Sequence, residues 1–161
     1  MSGGRRYQRR LVRGLQNLKR LAGLPPAEVR RLVRAQLALI RARALVSRRK
    51  TGELVQPEPV TPTYSRADLV RAREWALMVR RASAYGLFRP SCLTQSIALS
   101  QLLERDGIVD ARIRVGVRRV AGAVQAHAWV EYGGEVIGDF GEHVATFTQL
   151  TDVRLIRPED S

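Results

Sequence analysis

A single cysteine, Cys92, in 161 residues rules out any internal disulfide, and with it the stapled design of small secreted domains. Aromatic residues are only 6% of the chain, so Val, Leu, Ile and Ala must fill the core. No uncharged apolar run reaches the ~18 residues that a membrane-spanning helix needs. The opening Met1-Ser2-Gly3-Gly4-Arg5-Arg6 leads into no apolar secretory stretch. Together these absences point to a cytoplasmic protein. There are two histidines, His127 and His143, and no cluster with metal-ligand spacing, so neither metal nor cofactor is expected.

Acidic residues are nearly missing from the first third. Residues 1–50 hold 15 Lys+Arg against one acid, Glu28, whereas the remainder holds 13 bases and 14 acids. The net charge of +13 is therefore a property of one segment. That segment has no clustered aromatics for base stacking, which disfavours nucleic acid as its partner. Peripheral contact with an anionic membrane through residues 1–50 stays open. The richness in Arg, Ala and Val fits a bacterial genome of high GC content.

Three regions follow: a basic helical extension over 1–50, an extended Pro-rich connector over 51–65, and a catalytic domain over 66–161. In the extension, Leu11, Leu15, Leu18 and Leu21/Leu24 are spaced for one helix. Pro26 starts a second, in which Val29, Leu32, Val33, Gln36, Leu37, Ile40, Ala44 and Leu45 form an apolar stripe expected to pack on the domain. Ser65 followed by Asp68 resembles a capping box for a helix through Tyr85, with Gly86 as its stop. Another helix runs from Ser91 to Asp106. The pattern then changes to period two: a strand around Arg112–Arg118, a second over Val124–Tyr132, and a third over Val136–Phe140. Gly133-Gly134 is a hairpin turn, and Val153–Ile156 is a candidate edge strand. Helices followed by an antiparallel meander predict an α+β fold.

Taken singly, Cys92 reads as a small buried hydrophobe. Its place in the first turn of a helix changes that reading, because free N–H groups and the helix dipole favour a thiolate there. The same N–H groups can hold an oxyanion. His127, between two alanines on a strand, is a fitting base for that thiol. His143 falls in a loop and reads as surface. Two carboxylates can orient the imidazole: Glu131 on the same strand and Asp139 on the next.

Strand parity separates the two. With a strict two-residue Gly133-Gly134 turn, Asp139 opposes Ala128 and faces away from His127. A three-residue loop or a bulge at Gly138 brings Asp139 round to His127. Assigning Asp139 to a Cys92–His127–Asp139 triad therefore predicts an irregularity between Gly133 and Gly138.

Pro90-Ser91-Cys92-Leu93 with Ala98-Leu99 and Leu102-Leu103, then Val115-Gly116-Val117, Ala126-His127-Ala128-Trp129-Val130-Glu131 and Gly138-Asp139, resembles the transglutaminase-like (papain-like) core of lasso-peptide maturation proteases. The resemblance spans about residues 60–150. It implies a catalytic cysteine at a helix N-terminus packed on an antiparallel sheet, preceded by N-terminal helices. It also implies a cysteine protease that removes the leader from a lasso-peptide precursor, before an asparagine-synthetase-like cyclase closes the ring. Residues 1–50 show none of the strands of the winged-helix leader-recognition domain often fused ahead of such proteases. The chain therefore reads as the protease half of a split pair, with a separate leader-recognition protein as partner. The alternatives are an acyltransferase using the same triad, and a basic RNA- or membrane-binding module with an inert core.

Overall fold

Pro26 has no N–H to waste in the first turn of a helix, and α1 begins there, running Pro26–Arg48. The computed structural model describes residues 23–48 and 65–153. The expected first helix, nearly all of the Pro-rich connector, and all but Val153 of the expected edge strand Val153–Ile156 lie outside these residues. α2 spans Arg66–Tyr85, with Ser65 as its N-cap accepting from the Asp68 N–H at 3.4 Å. Asp68 also holds the Arg71 guanidinium at 2.6 Å, an interaction that raises the arginine's pKa. α3 spans Cys92–Arg105, and Ser91 caps it by accepting from the Thr94 N–H at 3.3 Å.

Four antiparallel strands follow: β1 (Arg112–Val120), β2 (Ala123–Tyr132), β3 (Glu135–Ile137) and β4 (Thr148–Val153). They form one sheet in the order β3-β2-β1-β4. A short helix, α4 (Gly141–Val144), lies between β3 and β4. The architecture is α+β, with α3 and α2 against one face of the sheet and α1 packed on those two helices.

Alternation along the strands divides the apolar residues between two faces. Ile113, Val130, Tyr132 and Ile137 join the helices in the main core, where Ile97, Leu102 and Leu103 of α3 are almost fully buried. Each such side chain contributes about 1.5–3 kcal/mol by leaving water. The opposite face carries a smaller cluster of Trp129, Val144 and Phe147. The Tyr132 hydroxyl accepts from the Ser65 N–H at 3.1 Å, joining the sheet to the start of α2.

Two expectations need correction. The stripe on α1 divides: Ala35, Ala38, Leu39 and Ala42 make the packed face, while Val33, Leu37 and Ile40 are 41–52% exposed. Three alanines let α1 come close to α2 and α3, and close approach decides which face is buried. The third strand is also shorter than expected. β3 ends at Ile137, which pairs with Val130, and Gly138 leaves the ladder at φ 86°.

Candidate active site

Cys92 is the first residue of α3 and is half-buried. Ser91 accounts for two of the four N–H groups in that first turn. Its hydroxyl takes Thr94 N–H, and its carbonyl takes Gln95 N–H at 3.0 Å. The N–H groups of Cys92 and Leu93 are left without an acceptor among the described residues. They lie beside the sulfur, with the positive end of the helix dipole behind them.

The short β3 makes room for a cleft. Because pairing stops at Val130, the stretch of β2 from His127 to Trp129 has no neighbour on that edge. A cleft partly open to solvent occupies this edge, and Cys92, His127 and Asp139 all line it. Ala76 and Val79 of α2 and Leu99 of α3 contribute apolar wall.

His127 Nε2 and Asp139 Oδ2 are 2.5 Å apart. The Gly133-Gly134 turn is a clean two-residue one, since Tyr132 pairs with Glu135. The predicted irregularity is therefore at Gly138, whose left-handed backbone turns the next residue back toward His127. Asp139 Oδ1 accepts from the Phe140 N–H at 2.7 Å, so both carboxylate oxygens are engaged.

Glu131, the other candidate orienter, is committed elsewhere. Oε1 accepts from the Trp129 indole N–H and Oε2 from Arg114 Nε, each at 2.8 Å. The Trp129 ring so held is stacked near His127, with centroids 6.2 Å apart and planes at 22°. Phe147 packs against the imidazole from another side, at 5.1 Å between centroids.

Gly116 makes this packing possible. It sits opposite His127 in the β1–β2 ladder, at a shift in the β1–β4 register. A Cβ there would come within 2.9 Å of Trp129 and 3.0 Å of Phe147.

Several neighbours were not singled out by the sequence. His143, expected in a surface loop, is exposed but lies on α4, edge-on to His127 at 5.0 Å between centroids. Gln95 lines the cleft one turn beyond Cys92 and donates from Nε2 to the Pro90 carbonyl at 3.3 Å. Arg80 also lines the cleft. A four-residue helix leaves no readable period in sequence, and nothing in the sequence of α2 tells which exposed arginine meets a cleft.

The model of the transglutaminase-like superfamily matches residues 29–152, well over half of the chain. The chain belongs to the transglutaminase-like superfamily. It is also similar to the microcin J25-processing protein McjB of Escherichia coli, with 43% identity over 53 residues. That match takes in 33% of this chain and spans about a quarter (24%) of the length of McjB. No solved structure matches the chain. Among the described residues, no helix is long and apolar enough to cross a membrane.

Proposed function

We propose that this protein is a cysteine peptidase that removes the leader from a lasso-peptide precursor, with Cys92 as nucleophile, His127 as acid and base, and Asp139 as orienter. The observation that carries the reading is one cleft lined by a thiol at a helix N-terminus and by a histidine bonded to a carboxylate. Membership of the transglutaminase-like superfamily and the similarity to a microcin J25-processing protein support it.

With Nε2 engaged by Asp139, Nδ1 is the ring nitrogen left to exchange a proton with the thiol. The thiolate adds to the carbonyl carbon of the leader–core amide, and the oxygen takes the negative charge. The unbonded N–H groups of Cys92 and Leu93 receive that charge at no reorganisation cost. Collapse breaks the C–N bond, and His127 gives its proton to the departing amine, which becomes the new N-terminus of the core peptide. The leader remains on Cys92 as a thioester. His127, now neutral, takes a proton from water as it attacks, and the thioester breaks to release the leader acid and restore the thiol. Asp139 holds the ring in one tautomer and stabilises the imidazolium through both halves.

A separate leader-recognition protein presents the precursor in this reading, and an asparagine-synthetase-like cyclase consumes the freed amine. The test is cleavage of the precursor peptide, followed by mass spectrometry, with and without the leader-recognition protein. Wild type releases the leader and Cys92→Ala does not. Equal cleavage by the alanine variant would falsify the reading.

A further inference from the structure

The cleft carries one charged side chain that the chemistry above leaves unused. Arg80 projects from the same face of α2 as Ala76 and Val79 and lines the cleft with them. Arg31, Arg71, Arg73, Arg81 and Arg114 each have a carboxylate partner. Arg80 has none among the described residues. Asp139, the acid on the same cleft wall, has one oxygen on His127 and the other on the Phe140 N–H. Instead, the Arg80 guanidinium stands 5.7 Å from the centroid of the Phe140 ring, which is 67% exposed.

This is how a protein presents an arginine to a ligand. An aromatic ring within about 6 Å weakly favours one placement of an exposed guanidinium, while leaving its N–H groups free for a bidentate acceptor. Next to it, Val79, Leu99 and Ile137 give an apolar floor for the stem of the ligand's side chain. We propose that Arg80 and Phe140 form a carboxylate-binding subsite, which selects an Asp or Glu side chain of the substrate peptide close to the bond that Cys92 attacks. The substrate assignment rests on the peptidase reading; the anion-binding property does not.

Cys92 is the one thiol in the chain, so its alkylation tests the subsite without any peptide. Iodoacetate and iodoacetamide react alike: the thiolate displaces iodide and a thioether forms. They differ by one negative charge, and the ratio of their rates cancels any change in the thiolate fraction. That ratio is expected to fall about threefold or more in Arg80→Gln, and further in Arg80→Glu, as a lost and then reversed local field requires. Arg119→Gln, on the exposed end of β1, leaves it unchanged. A ratio that stays at the wild-type value in both Arg80 variants overturns the subsite.

The peptide arm uses the precursor with each acidic residue near the cleaved bond changed in turn to Lys. One such change should cost the wild type at least tenfold in kcat/KM and be rescued by Arg80→Glu. If the precursor is cleaved and no swap is rescued, the acidic-residue assignment fails. If Cys92→Ala cleaves it too, the peptidase reading fails instead, and the alkylation ratio still decides the subsite.

Discussion

Asp139 reaches His127 across a parity that forbids it: in an unbroken β2–β3 ladder the two side chains point to opposite faces, yet Nε2 and Oδ2 are 2.5 Å apart. The ladder breaks after Ile137, and Gly138 at φ 86° supplies the half-turn. One residue without a side chain thus links the register of a hairpin to the orientation of an imidazole.

The two carboxylates near His127 will separate on mutation. Asp139→Ala removes the group bonded to the ring, and cleavage of the precursor is expected to fall by about a hundredfold or more in kcat. Glu131→Ala instead releases Trp129 and Arg114. It should cost about 1–3 kcal/mol in denaturant unfolding and less than tenfold in kcat. The reverse ranking of the two activities would remove Asp139 from the orienter role.

Gly138→Ala tests the turn itself. A β-carbon at φ 86° is strained, and it would lie 3.2 Å from Leu99 Cδ2 and 3.4 Å from Ala76 Cβ. The strain amounts to about 1–2 kcal/mol, readable as a lowered midpoint in denaturant. If the strain is relieved by flattening the turn, Asp139 leaves His127, and activity falls more than stability does. Gly138→Asn, a residue that tolerates the left-handed region, should recover part of both. Full activity in Gly138→Ala would show that the half-turn does not depend on glycine.

Much of the geometry of the candidate site is legible in residue order, and the parts that are not have physical reasons. The cap at Ser65 and the start of α3 beside Ser91 are local features with short reach, so sequence places Cys92 in the first turn of a helix. The hairpin parity is equally local, and it narrows the irregularity to six residues that include Gly138. What stayed hidden depends on long-range packing. His143 meets His127 only because α4 folds back over the second sheet face. Glu131 and Asp139 qualify equally by residue type, and parity ties Asp139 to an irregularity; that Glu131 is held by Trp129 and by Arg114 of β1 is a matter of packing. On α1, periodicity marks one stripe through Val33, Leu37 and Ile40, and these residues are exposed. Only the fit of Ala35, Ala38 and Ala42 against the neighbouring helices decides which face is inside.

Gly116 should prove as exacting as Gly138, for a different reason. Its backbone is not left-handed; the space above it is taken by Trp129 and Phe147, the residues that pack around His127. Gly116→Ala presses on the Trp129 ring and on Phe147 Cβ, so the indole must shift by a few tenths of an ångström; Gly116→Val presses harder, at about 1–3 kcal/mol for the larger change. Trp129 fluorescence should move with the ring, and kcat should fall in step with it. A Gly116→Val protein with native emission and native kcat would mean that the rings yield without disturbing the imidazole.

The division of α1 gives the cleanest stability contrast. Leu37 and Leu39 are two residues apart and chemically identical, yet Leu37 is 47% exposed and Leu39 is 1% exposed. Leu39→Ala leaves a cavity among α1, α2 and α3 and should cost about 2–4 kcal/mol. Leu37→Gln changes a solvated surface and should stay within about 0.5 kcal/mol. Helix propensity cannot produce such a gap, because alanine and glutamine are both good helix formers. Denaturant unfolding of the two variants reads it directly. Equal losses at both positions would mean that Leu37 is covered in the full chain, and the exposed stripe Val33–Leu37–Ile40 would then be a packed face.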